Sequence, residues 1–219
     1  AAAGFNTVRL GEAAWSRLEP TPGRFDFAWL DEAMGLFRRH GFKFIMGTPT
    51  LCPPQWFFQQ HPEALLVNEL LQRNLPLTRK HHCLSNTAYR AAVKKIVKAE
   101  IEHFAGAKDI IAWQVDNELG LWQECYCASC QNAFREWLKK KYGTLKNLNE
   151  KWGTVFWSLE YSDWRQVTLP GMPRFEKANP SYLLDSTRFF SDLCREYLEF
   201  QAAMLRSAGQ GWLMLCFYA

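Results

Sequence analysis

Ile110-Ile111-Ala112-Trp113-Gln114-Val115-Asp116-Asn117-Glu118 is an apolar run that ends abruptly in an acid, an amide and a second acid. It is too short for a helix of ordinary length, and the pattern predicts a buried strand over Ile110–Val115. Three similar runs, Thr7–Leu10, Phe44–Gly47 and Leu213–Phe217, read the same way. Helical periodicity fills the intervals. Asp26 is placed to cap a helix with Phe27, Leu30, Met34 and Phe37 on one face and Gly41 as its stop. Ser85 or Asn86 opens the next, which turns Tyr89, Val93, Ile96, Val97, Ile101 and Phe104 inward. A third carries Phe134, Trp137 and Leu138 before Gly143, and a fourth runs from Thr144 to Gly153. The longest extends from Pro180 to Ser207.

Strands alternating with helices of these lengths require parallel pairing through helical crossovers. A doubly wound sheet and a barrel both satisfy that pattern, but no glycine-rich phosphate loop follows any strand. The conspicuous polar residues stand just after strand ends instead: Glu12, Thr48-Pro49-Thr50, and Asn117-Glu118. Functional side chains at the carboxyl ends of several strands mark a barrel. The fold class expected is therefore α/β, part of a TIM (β/α)8 barrel forming a single domain over 1–219. Two long connections, Leu51–Ser85 and Gly153–Asn179, are expected to build walls of a site. The chain opens on Ala1-Ala2-Ala3-Gly4 without an initiator Met and closes on the apolar run Trp212–Ala219. We expect a segment of a longer protein, incomplete at both ends.

Composition bounds the function. With 219 residues, 48% hydrophobic and 22% charged, the chain supports a packed core and excludes a disordered or collagenous one. No run approaches the roughly 20 apolar residues of a membrane span. The net charge of +4 is spread over Arg38-Arg39-His40, Lys94-Lys95 and Lys139-Lys140-Lys141, all on helical polar faces or C-terminal ends. No basic stripe interleaves with aromatics, so neither a nucleic acid nor a membrane partner is expected. Aromatics at 15% fill a core and also suit a cleft for sugar rings.

Glu118 is the candidate for catalysis. Glycoside hydrolysis needs a carboxylic acid that protonates the leaving oxygen and later acts as base toward water. Asn117 beside it suits a hydrogen bond to a sugar hydroxyl. If alternation persists, Asp116 faces the other way and stays outside the site. Glu12 either touches substrate or binds a neighbouring Arg on the rim. The reading requires that Glu118 face open space and not be locked away in an ion pair.

Seven cysteines form a second pattern, because Cys125, Cys127 and Cys130 lie within six residues. Cysteines so close cannot all pair as unstrained disulfides, whereas three thiolates at a helix start fit three corners of a zinc tetrahedron. Cys83 is the favoured fourth ligand, with His81 and His82 as rivals. Four thiolates leave no open position, so the zinc would be structural. Cys52, Cys194 and Cys216 read as core residues, and reduced thiols with zinc fit a cytoplasmic protein.

Taken in order, Gly4–Pro20, Leu30-Asp31, Gly47–Thr50, Cys83-Leu84-Ser85, Asp116-Asn117-Glu118, the cysteine cluster, Trp152–Ser158 and Asn179-Pro180-Ser181 resemble the β-galactosidases of glycoside hydrolase family 42. The resemblance implies a (β/α)8 domain, a retaining hydrolase of terminal β-D-galactosides, and commonly a homotrimer. It implies that Glu118 is the general acid/base and Asn117 a galactose ligand. Trp157 then supplies an aromatic substrate contact, and Cys83, Cys125, Cys127 and Cys130 hold zinc. It also places a substrate-binding Arg three residues before the first zinc cysteine, where this sequence has Lys80 preceded by Arg79. A lysine cannot reproduce the guanidinium fork. The family's nucleophilic glutamate falls on a later strand, beyond Ala219, so residues 1–219 alone are expected to be inactive. The alternative is a non-catalytic, zinc-stapled sugar-binding or scaffold module of the same fold. Another retaining barrel glycosidase would share the Asn-Glu pair but not the cysteines.

Overall fold

A computed structural model of the chain describes residues 3–77, 79–120, 123–171, 179–209 and 212–217, the last as backbone only. Four strands, β1 (Thr7–Leu10), β2 (Lys43–Gly47), β3 (Ile110–Leu119) and β4 (Trp212–Phe217), pair in parallel in the order β1-β2-β3-β4. Leu10 lies beside Met46, Met46 beside Trp113, and Trp113 beside Leu213. Sequential neighbours joined by helices are the repeat from which a barrel is wound.

The helices are α1 (Trp15–Leu18), α2 (Ala28–Arg38), α3 (Gln55–Gln60), α4 (Thr87–His103), α5 (Ala128–Tyr142), α6 (Leu145–Trp152) and α7 (Pro180–Ser207). Their ends follow from local chemistry. The Asn86 side chain accepts from Tyr89 N at 2.8 Å, resolving the choice between Ser85 and Asn86. Thr144 Oγ1 accepts from Asn147 N at 3.2 Å to open α6, and Gly153 closes it in the left-handed region at φ 64°. Asn179 accepts from Ser181 N and Tyr182 N, with Pro180 in the first turn of α7. Asp26 works one residue earlier than expected: Phe27 is the capping residue, and Asp26 Oδ1 accepts from Ala28 N at 3.0 Å.

The helices close over an aromatic core in which Trp15, Phe44, Phe57, Tyr89, Trp113, Phe134 and Tyr197 are fully enclosed. Burying side chains of this size supplies most of the drive to fold, about 2–3 kcal/mol for each. Where α6 meets α7, the carboxylate of buried Asp185 accepts from Tyr142 Oη, Trp152 Nε1 and Lys141 Nζ. The connection from residue 51 to 85 is folded rather than loose. It starts at the end of a short 3-10 turn over Pro49–Leu51 and carries α3, a second 3-10 turn over Pro62–Ala64 and the buried run Leu65-Leu66-Val67.

Candidate active site and metal centre

Strand β3 shifts register against β2 once near its start, where Ile110 and Ala112 lie beside the consecutive residues Phe44 and Ile45, and departs more sharply after Val115. Asp116 and Glu118 both adopt left-handed backbone, at φ 54° and 47°. Pairing with β4 jumps from Val115 beside Leu215 to Leu119 beside Phe217, so four steps of β3 match two of β4. Left-handed backbone costs an L-residue about 1–2 kcal/mol, so surrounding contacts must fix it. The alternation used to place Asp116 therefore ends one residue too soon. Asp116 and Asn117 are both buried, while the Glu118 side chain is 34% exposed.

Gln114, Asp116, Arg79 and Lys80 hold Asn117 and Glu118. Gln114, wholly buried, donates from Nε2 to Asp116 O at 2.9 Å and to Asn117 Oδ1 at 3.2 Å. Its own Oε1 accepts from Arg9 Nη1 at 2.6 Å, and Arg9 Nε pairs with Glu12 at 3.0 Å. Glu12 thus follows the rim alternative, reaching Asn117 through Arg9 and Gln114. Gly47 allows that approach, since a Cβ there would stand 3.0 Å from Glu12 Cβ.

Arg79 and Lys80 divide the roles that the resemblance gave to one position. Arg79 Nη2 donates to Glu118 Oε2 at 3.0 Å, with its side chain 42% exposed. Lys80 is turned inward at φ 63°, has no exposed side-chain surface, and donates to the Glu118 carbonyl. Burial lowers the Lys80 ammonium below its usual range, with Glu118 opposing that shift. The Lys80 ammonium also stands 3.7 Å from Glu118 Oε2, so the structure places it beside the candidate catalytic carboxylate but wholly enclosed. Trp157 is 58% exposed in a short turn at φ 58°, stacked on Phe156, and has no contact with the Glu118 group among the described residues.

The four cysteines come together as expected. The Sγ atoms of Cys83, Cys125, Cys127 and Cys130 all lie within 4.8 Å of one another, and Cys83 stands 3.4–3.5 Å from Cys130 and Cys127. All four are free thiols. Zinc–sulfur bonds of about 2.3 Å place tetrahedral sulfurs about 3.8 Å apart, so this donor set fits a metal ion. Val67 N donates to Cys125 Sγ at 3.4 Å, the kind of outer contact that steadies a thiolate. The histidine rivals stand elsewhere: His82 stacks on Tyr89 at 4.2 Å, and His81 meets the edge of Phe58. Burial drives His82 down to about 3, leaving it neutral. Cys52 is half-buried and Cys194 buried, both as free thiols, and burial pushes Cys194 up to about 11. The Cys216 side chain lies outside the described residues.

Arg9, Gln114, Arg79 and Tyr197 were not singled out as site residues from the sequence, whereas Thr48 and Thr50, which bond Asp116, stood among the conspicuous polar residues after strand ends. Arg9 and Arg79 were in view beside Glu12 and Lys80, but only the fold reveals that they point at residues on β3.

The family profile described as β-galactosidase, glycoside hydrolase family 42, matches residues 1–217. A β-galactosidase of Clostridium cellulovorans is 45% identical over 205 residues, 93% of this chain and 30% of its own. One from Thermus thermophilus is 43% identical over 95% of this chain and 33% of its own. Among solved structures, the β-galactosidase of the haloarchaeon Halorubrum lacusprofundi superposes with a TM-score of 0.93 at 37% identity, over 99% of this chain and 33% of that one. The chain spans about a third of the length of the relatives it matches. No helix among the described residues is long and apolar enough to cross a membrane.

Proposed function

Because this chain belongs to the β-galactosidases of glycoside hydrolase family 42, we propose that it carries the acid/base half of a retaining site for terminal β-D-galactosides, within one partial (β/α)8 domain over 1–219. The observation that carries this reading is Glu118, a partly exposed carboxylate at the end of a barrel strand with Asn117 beside it and Arg79 on its Oε2. The ion pair does not lock it away, because both partners keep a third or more of their side-chain surface open.

In the first step Glu118 gives its proton to the bridging oxygen while the bond from that oxygen to the anomeric carbon breaks, and the alcohol departs. A carboxylate from outside residues 1–219 attacks the opposite face, about 5–5.5 Å from Glu118, and forms the glycosyl-enzyme. Glu118, now ionised, takes a proton from water as that water attacks the anomeric carbon and releases the nucleophile. Asn117 hydrogen-bonds a ring hydroxyl as positive charge develops. Trp157 offers an aromatic face to the sugar, and Glu12 buttresses the rim through Arg9.

Cys83, Cys125, Cys127 and Cys130 would hold zinc. With four thiolates and no open position it would be structural, pinning the loop after Glu118 to the segment before α4. Free thiols support a reducing, cytoplasmic setting. The exposed side chains of Val155, Phe156 and Leu159 support assembly with further copies, for which the family resemblance implies a trimer.

Glu118→Gln in the full-length gene product tests the reading. Hydrolysis of an alkyl β-galactoside, whose leaving group needs a proton, should fall about 1,000-fold or more. Hydrolysis of a dinitrophenyl β-galactoside, which departs unaided, should lose much less in the first step. Equal losses on both substrates, or none on either, would remove Glu118 from the role.

A further inference from the structure

We propose that Asp116, directly before the Asn117-Glu118 pair, is a positioning residue: its buried carboxylate fixes the left-handed turn that aims both side chains. The proposal rests on the acid/base reading of Glu118 and adds the device that sets its geometry. Asp116 is completely enclosed, and its contacts come from three separate elements. Its Oδ1 accepts from Asn117 N at 2.7 Å, which clamps the peptide between the two residues. Its Oδ2 accepts from Thr50 Oγ1 at 2.5 Å and from Tyr197 Oη of α7 at 3.3 Å. Its own N–H donates to Thr48 Oγ1 at 2.8 Å.

The clamp is braced in turn. Tyr89 of α4 and Tyr197 join hydroxyls at 2.5 Å, Tyr89 Oη donates to Thr50 O at 3.0 Å, and Gln201 Nε2 donates to Thr50 Oγ1 at 3.2 Å. Residues after β2 and on two helices therefore converge on one carboxylate that touches no solvent. A strained turn persists only where its surroundings over-determine it. Here the over-determination falls on Asp116, the first of the two positive-φ positions of β3, and Glu118 is the second.

Hydrogen counting separates geometry from charge. Thr50, Tyr89 and Tyr197 own three hydroxyl hydrogens for four contacts: two to Asp116, one between the tyrosines, and one to Thr50 O. An amide at position 116 supplies two donors toward Thr50 and Tyr197 and keeps an oxygen for Asn117 N. The tyrosine hydrogens then serve the remaining contacts, and the Thr50 hydroxyl turns to Gln201 Oε1. Asp116→Asn should thus preserve the turn, whereas Asp116→Ala removes it.

The test compares these variants, with Thr50→Val and Tyr197→Phe, in the full-length gene product on alkyl and dinitrophenyl β-galactosides. Asp116→Ala should lower kcat on the alkyl substrate about 100-fold with KM within about threefold, as expected for a misplaced acid. The dinitrophenyl substrate should lose about tenfold less. Asp116→Asn should stay within about tenfold of the parent on both. Thr50→Val and Tyr197→Phe each remove one contact, and should give a smaller loss with the same leaving-group dependence even if the alanine variant does not fold. Equal impairment by Asn and Ala, or losses in all folded variants that ignore the leaving group, would overturn the proposal. If Glu118→Gln alone loses its leaving-group dependence, the acid/base reading fails; if only the Asp116 series does, that reading stands without this device.

Discussion

The Arg79 guanidinium stands 3.0 Å from Glu118 Oε2 from the exposed side, while the ammonium of its neighbour Lys80, wholly enclosed, stands 3.7 Å from the same oxygen. Lys80 stands in left-handed backbone at φ 63°, and the two cations reach Glu118 from consecutive positions, one exposed and one enclosed. Arg79 is the exposed one of two cations at the carboxylate, and a planar guanidinium fork matches a carboxylate in a way that a lysine does not. Arg79→Lys in the full-length gene product should lower kcat/KM for a nitrophenyl β-galactoside about 10–100-fold, without lowering the melting temperature. Activity unchanged in Arg79→Lys but lost in a folded Lys80→Met variant would assign the contact to Lys80 after all.

The cysteine centre makes a separate prediction about metal. One zinc per chain is expected by elemental analysis of the full-length product, with Cys127→Ser and Cys83→Ser each reducing it to well below half. Melting temperature should fall by about 5–10 °C in both, since a metal that binds only the folded state stabilises it by mass action. Cys52→Ser, outside the cluster, should leave the stoichiometry unchanged. Full metal content in Cys127→Ser would leave the four-thiolate assignment untenable.

The four strands and the long helices were legible because each is a local pattern: an apolar run, a 3.6-residue stripe, a cap. Pro180 and Asn179 announce α7, and Thr144 and Gly153 bracket α6, within a few residues of sequence. The cysteine cluster was legible for a similar reason, since three of its four members are neighbours. The end of β3 was not. A period of two describes a strand only while the backbone is extended, and Asp116 and Glu118 leave that region under contacts made by Thr48, Thr50 and Tyr197. Tyr197 is 81 residues away from Asp116, and nothing local marks their meeting. The Arg9–Gln114–Asn117 relay was hidden likewise, because it crosses from β1 to β3.

The junction of α6 and α7 offers a prediction about stability and pH. Burial alone would raise the Asp185 carboxyl, but donors from Lys141, Tyr142 and Trp152 outweigh it and hold the group below its ordinary value. A carboxylate depressed in the folded state adds stability that is complete above its unfolded value of about 4 and is withdrawn as pH falls through the folded one. Asp185→Asn replaces an acceptor with an amide donor facing four donors, Arg188 at 3.4 Å being the fourth, so it should destabilise the junction by about 2–4 kcal/mol at pH 7. The penalty should shrink as pH is lowered below about 4, where the parent also loses its charge. Hydrogen exchange of α6 and the first turns of α7, compared between parent and variant from pH 7 to pH 3, reads this directly. A difference that stays constant across that range would mean the side chain matters by shape and not by charge.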